Sequence, residues 1–343
     1  KLRVNADLSY AKSNKNGSWT MKELRSPRGL AMSKMPNMSP YVIDDEGNRT
    51  GEYFTPLFNF QGGFSGEAKH MVYNPVAMVN ESINHSVGEN ARAIFRLEYD
   101  IIEDLQYFGT IGFDLRSNKN KNFLPQSVTG VLWTDPFFNR SSDILSDELY
   151  LNTENKFIYN KYLTDKHKIL LTAILQTNEA QNYKYVSETS GNASPSLSDP
   201  TTGAAVLAME SGSSKTRMLG LIGNAHYSFD DRYILSAGYR LEANSSLGAN
   251  SRWAAFPTVG AAWHFAEEGF LKDKSWISFG KLRLSWGQAG NPPSGAHPYI
   301  GIFTPITPGY MGMDAISPAT IELENLKWET VTQSNIGIDL FLF

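Results

Sequence analysis

Segments of about a dozen residues in this chain alternate apolar and polar, and they come in pairs joined by very short turns. Longer connections, rich in Asn, Ser, Gly and aromatic residues, join one pair to the next. In 93–101, Ala93, Phe95, Leu97, Tyr99 and Ile101 share one face of an extended chain, and Ile94, Arg96, Glu98 and Asp100 share the other. Beyond Glu103-Asp104, Tyr107, Gly109, Ile111, Phe113 and Leu115 alternate with Phe108, Thr110, Gly112, Asp114 and Arg116. Strands whose faces differ this sharply sit between an apolar and an aqueous phase. Repetition of the pattern, with short and long connections in turn, marks an all-β fold: a transmembrane antiparallel β-barrel.

No run approaches the ~20 apolar residues of a membrane helix, so any crossing is made by strands. A barrel wall shows lipid only every second residue, which reconciles a mean hydropathy below zero with a membrane location. The chain has no cysteine, so disulfides, thiolate metal sites and cysteine nucleophiles are excluded. A net charge of -4, without a basic stripe, argues against nucleic acid as a partner. His70, His85, His167, His226, His264 and His297 show no metal-ligand spacing and no HExxH. Gly63-Phe64-Ser65-Gly66 lacks the last glycine of a nucleophile elbow. Nothing here reads as an enzyme.

About ten strands are expected: 1–12, 90–102, 105–118, 148–161, 167–179, 214–229, 232–244, 252–265, 276–288 and 330–343. Glu103-Asp104, Tyr162–Lys166, Asp230-Asp231 and Ala266–Ser275 are the short connections. The segments 13–89, 119–147, 180–213 and 289–329 are long loops, and Ser245–Ser251 is a tight one. Short turns of outer-membrane barrels face the periplasm and long loops face outside. The lipid face then carries Leu219, Leu221, Ala225, Tyr227 and Phe229, with Tyr233, Leu235, Ala237, Tyr239 and Leu241 on the hairpin partner. The lumen receives Asn224, His226, Ser228, Ser236, Arg240 and Glu242. Tyr227, Phe229, Tyr233, Trp263, Phe265, Trp276 and Trp286 belong to interfacial girdles. Both termini alternate like strands of a longer sheet, so 1–343 is expected to be part of one barrel domain, with signal peptide, plug and final strands lying outside it.

Several strings add a resemblance. Val4–Tyr10, Tyr73-Asn74-Pro75-Val76-Ala77-Met78 and Arg252-Trp253-Ala254-Ala255-Phe256-Pro257 come first. Leu282-Arg283-Leu284-Ser285-Trp286-Gly287-Gln288-Ala289-Gly290-Asn291, Asn325-Leu326-Lys327-Trp328-Glu329-Thr330 and 332–339 follow. In this order they resemble the SusC/RagA family of TonB-linked outer-membrane proteins of Bacteroidetes. The resemblance implies a plugged barrel of about 22 strands, of which this chain supplies about ten. It implies active uptake of a large nutrient, an oligosaccharide or a peptide. It also implies a SusD-like surface lipoprotein as lid and the TonB–ExbB–ExbD complex as energy source. An outer-membrane barrel enzyme and an adhesin are the alternatives from other classes.

The long loops hold the candidate contacts. Trp133, Phe137, Phe138, Asn139 and Arg140 combine aromatic planes, which stack on sugar rings, with groups that hydrogen-bond hydroxyls. Tyr299 and Tyr310 offer similar material. The same aromatics could instead pack the loops together or against the lipoprotein. Asp44, Asp45 and Glu46 form an acidic loop that either holds a structural calcium ion or is a plain turn; no other cofactor is expected. The charges Arg96, Glu98, Asp114, Arg116, Glu154, Lys156, Arg240, Glu242, Lys281 and Arg283 are expected to satisfy one another or hold a plug.

Overall fold

The computed structural model describes residues 1–17, 26–55, 73–131, 133–134, 138–271, 274, 276–306, 309, 311, 313 and 315–342. Alternation builds ten long strands: β1 (Leu2–Gly17), β4 (Ile83–Ile102), β5 (Leu105–Leu124), β6 (Arg140–Thr164), β7 (His167–Ser190), β8 (Ala205–Phe229), β9 (Tyr233–Asn244), β10 (Trp253–Trp263), β11 (Ile277–Asn291) and β14 (Glu329–Leu342). They form one antiparallel sheet in the order β1-β4-β5-β6-β7-β8-β9-β10-β11-β14, so each long strand pairs with the next in sequence. The sheet is open, with β1 and β14 at its edges. Two small hairpins, β2–β3 (Tyr41–Ile43, Arg49–Tyr53) and β12–β13 (Phe303–Ile306, Ala315–Pro318), lie in the long connections. So do three short helices, α1 (Pro27–Ser33), α2 (Pro75–Glu81) and α3 (Gln126–Thr129).

Register keeps the apolar faces together across the whole sheet. Leu8 stands opposite Ala93, Ala93 opposite Phe113, and Phe113 opposite Leu151. Leu171 stands opposite Ala225, Ala225 opposite Ala237, and Ala237 opposite Val259. A one-residue slip anywhere would turn a strand's apolar set into the lumen. On β8 the band runs from Phe229 to Leu219, about 33 Å of strand. At a tilt near 40° this is about 25 Å along the membrane normal, the height of an outer-membrane hydrocarbon band. Leu97, Leu221, Leu235 and Tyr239 on this face are exposed. So much uncovered apolar surface is stable only against hydrocarbon. One polar intrusion is masked: Tyr107 lies over Gly109, where a Cβ would fall 2.8 Å from its hydroxyl, and that hydroxyl donates to Asn155 Oδ1 at 2.7 Å.

The hairpin turns close as expected. Asp230 and Asp231 both adopt positive φ (53° and 52°), and Arg232 N donates to the Phe229 carbonyl at 3.0 Å. Two left-handed residues match the twist of flanking strands. At this rim Trp263 packs on Phe265, and Phe229 on His167 and Tyr233. Trp286, expected in a girdle, instead faces Val259 in the middle of β10.

At the long-loop rim the strands exceed their expected ends. β6 and β8 have 25 residues each and β7 has 24. Above the band both faces are wet, so period-2 contrast disappears while backbone pairing continues. Pro257 sits at a fork: β10 pairs with Tyr239 of β9 there, but its pairing with β11 begins at Thr258, so the missing N–H costs no ladder bond on that side.

Short helices cap the rim. Asn74 is the N-cap of α2, its Oδ1 accepting from Val76 N (2.9 Å) and Ala77 N (3.1 Å), with Pro75 following. Its amide nitrogen also donates to the carbonyls of Pro40 and Phe54. Leu30, Ala77, Met78, Leu124 and Val128 form a buried cluster beneath it. Farther along, Trp328 Nε1 donates to the Arg252 carbonyl at 3.0 Å and packs on Phe256 and Leu247. This ties the 289–329 connection to the β9–β10 loop.

Candidate functional site

The inner face of the sheet carries paired charge. Arg3 meets Glu98 at 3.0 Å, Arg240 meets Glu242 at 2.6 Å and Arg283 meets Asp339 at 2.8 Å. Arg96 pairs with Asp7. Arg116 reaches Asp114 at 3.1 Å and lies over the Tyr150 ring. The expected mutual satisfaction of these charges is therefore largely in place.

Between the pairs lies a concavity of about 400 Å³, lined by Arg92, Asp114, Tyr150, Asn152, Asn178 and Asn244. Asn152 stands directly opposite Asn178 across β6–β7. Gly112 makes this possible, because a Cβ there would come 2.0 Å from Asn152 Oδ1. Arg92 makes no ion pair among the described residues. The surface thus offers amide donors and acceptors, the Tyr150 ring, the Asp114 carboxylate and the Arg92 guanidinium. It can hold a polyhydroxylated or peptide-like chain by hydrogen bonds and has no nucleophile–base pair. Single positions on a strand's polar face gave no signal for this set, since only register brings Asn152 and Asn178 together.

The loop candidates divide into two places. Trp133 is half exposed, and its ring meets Phe138 edge-on at 5.2 Å. Asn139 is 1% exposed with φ 45°. Its Oδ1 accepts from Gln126 N and its Nδ2 donates to the Asn192 carbonyl, both at 2.8 Å. Both ends of that amide are engaged by the loops themselves. Arg140 pairs with Glu188 and is only partly exposed. Tyr299 lies elsewhere, perpendicular to His297 at 6.2 Å, in the β11–β14 connection. Five strand spacings, roughly 24 Å of wall, separate β6 from β11. Phe137 and Tyr310 lie outside the described residues.

The acidic 44–46 segment is the β2–β3 turn. Asp44 Oδ1 accepts from Asn48 N at 2.6 Å, and Gly47 takes φ 87°. Among the described residues no group of three His, Asp or Glu side chains converges on a metal-sized point. Two loop carboxyls are shifted. Asp199 is held below its ordinary pKa by the Thr201 N–H and hydroxyl that it accepts. Glu268, at the short-turn rim, is lowered by hydrogen bonds from Tyr233 and Trp263.

An open antiparallel sheet with one lipid-facing and one hydrated, ion-paired face is a sector of a transmembrane β-barrel wall. Residues 37–343 match the model of the TonB dependent receptor-like β-barrel family, and the chain belongs to that family of outer-membrane barrels. It is similar to TonB-dependent receptor P3 of Formosa agariphila, 26% identical over 277 residues, covering 79% of this chain and 27% of that protein. It is 31% identical over 134 residues to TonB-dependent receptor SusC of Bacteroides thetaiotaomicron, covering 36% of this chain and 13% of SusC. In structure it resembles the RagAB peptide transporter, with TM-score 0.76 and 18% identity, covering all of this chain and 37% of that one. The chain thus spans about a quarter of the length of the curated relatives.

Proposed function

We propose that this segment forms part of the wall and outer rim of a transporter that takes up a large, mostly uncharged nutrient, an oligosaccharide, through a TonB-driven plugged barrel. The observation that carries the substrate class is the set of three amides, Asn152, Asn178 and Asn244, that shares the lumenal concavity with Arg92 and Asp114. Neighbouring amides hydrogen-bond hydroxyls without demanding a charge. In this reading a SusD-like lipoprotein closes over the rim, exposed Trp133, packed on half-buried Phe138, stacks on substrate or seals that lid, and the TonB–ExbB–ExbD complex supplies energy.

Peptide uptake is the competing reading, since RagAB is named a peptide transporter and amides also pair with peptide backbones. A strain deleted for the full-length receptor should be compared with its parent on single oligosaccharides and on oligopeptides as sole nutrients. Loss of growth on an oligosaccharide, restored by the wild-type gene and not by an Asn152→Ala/Asn178→Ala version present at equal surface level, is expected. A defect confined to oligopeptides would overturn the oligosaccharide assignment. No nutrient defect in either group would overturn transport.

A further inference from the structure

The outward face of the sheet continues above its apolar band. There β4–β8 enclose a concavity of about 670 Å³. Strand parity places it on the membrane side. His85 and Val87 on β4, Lys119 and Lys121 on β5, Asp143 and Leu145 on β6, and Tyr185 on β7 hold the odd positions. Those positions carry Ala91, Leu115, Leu149 and Leu175 in the band below. His85 contacts Asn16 of β1 on this same face. Lys119 lies four residues past Leu115, about 10 Å above the band at a 40° tilt, and Lys121 about 15 Å above it.

Other cations on this face are committed: Lys12 to Glu89 at 2.7 Å, and Lys215 and Arg217 to Glu179 at 2.6 Å each. Lys119 and Lys121 form no ion pair among the described residues. Lys121 stands opposite Asp143 in register, yet among the described residues Asp143 Oδ1 is buried without a hydrogen-bond partner. Tyr185 and Met209 add an exposed ring and an apolar floor. Glu210 also lines the concavity, and Glu89 lies in Coulombic range of Lys119, and Asp143 and Asp199 in that of Lys121, without forming an ion pair with either lysine. The two ammonium groups suit a phosphate, a flat ring suits the C–H face of a sugar, and a carboxyl oxygen suits a hydroxyl.

We propose that this flank concavity binds the phosphorylated sugar head group of an outer-leaflet glycolipid of the lipopolysaccharide type. Charge complementarity argues for the phosphate, and continuity with the lipid-facing band below argues for a lipid, whose acyl chains would run down over Leu115 and Leu149. The proposal rests on which face meets the membrane and on the long loops facing outside, and is independent of what the lumen transports.

The test uses the full-length receptor in detergent, with two probes: lipopolysaccharide trimmed to lipid A and inner core, and the same lipid after enzymatic dephosphorylation. The unmutated receptor should bind the dephosphorylated probe roughly tenfold or more weakly, and Lys119→Gln/Lys121→Gln should lose a similar factor for the phosphorylated probe only. Lys281→Gln, on the inner face, should leave binding unchanged. Heat-modifiable gel mobility checks that each variant is folded, and the dephosphorylation arm requires no variant. Equal affinity of the unmutated receptor for the two probes would overturn the phosphate contact, and wild-type affinity in the folded double variant would overturn the site. If the soluble, deacylated core oligosaccharide binds as tightly as the whole lipid, the lipid assignment is overturned.

Discussion

Asn139 Nδ2 donates to the carbonyl of Asn192 at 2.8 Å, and Asn192 Nδ2 donates in turn to Ser141 Oγ at 2.8 Å. This buried exchange locks the β5–β6 loop to the β7–β8 loop, helped by Gly191 N to the Phe138 carbonyl at 2.7 Å. Asn139→Ala should leave Gln126 N and the Asn192 carbonyl unpaired, about 1–3 kcal/mol, and strain a left-handed residue by about 1 kcal/mol more. Limited proteolysis on whole cells should cut 191–204 faster while the barrel keeps its heat-modifiable mobility. Asn139→Gly should relieve the strain and not the hydrogen-bond loss.

The lipid face predicts an asymmetric pair of outcomes on β4. Leu97→Arg should impair assembly by about 2–4 kcal/mol near the bilayer midplane. Arg96→Leu should be milder, removing one exposed pair with Asp7. Urea refolding into vesicles measures both, and a larger penalty for Arg96→Leu would reverse the faces.

Orientation is open to direct labelling. An epitope inserted after Pro195 should react on intact cells, and one after Asp104 only after the outer membrane is permeabilised. The opposite result would invert the wall.

The rim aromatics should matter more for uptake than for folding. Replacing Trp133 and Phe138 by Ala removes contacts worth about 0.5–1.5 kcal/mol each. Uptake should fall roughly five- to a hundred-fold at constant surface abundance. Parallel loss of abundance would make them packing residues.

Asp199 carries a pH signature. Its folded pKa is depressed by the Thr201 hydrogen bonds, so its contribution is complete above the ordinary value of 3.8 and is lost as pH falls through the lower folded value. Proteolytic sensitivity of 191–204 in the unmutated receptor should rise only below about pH 4. Asp199→Asn, with no carboxylate to titrate, should flatten that rise.

Alternation alone determined the strands, the tight turns at Glu103-Asp104 and Asp230-Asp231 and the lipid face, because contrast between two phases is written every second residue. The same logic predicted Ala93, Phe95 and Leu97 on the outer face, where they stand. It failed above the band, where water wets both faces: β7 continues to Ser190 although its expected end is 179. It failed for Trp286, since an aromatic near a strand's end in sequence can sit at mid-wall once the stagger of neighbouring strands is set. Register and loop packing decided the rest. Gly112 beneath Asn152, the engaged amide of Asn139 and the flank lysines beside Asp143 each join residues far apart in the chain. Their meeting depends on which strand lies beside which and at what stagger, a property of the assembled sheet that no local window of sequence contains.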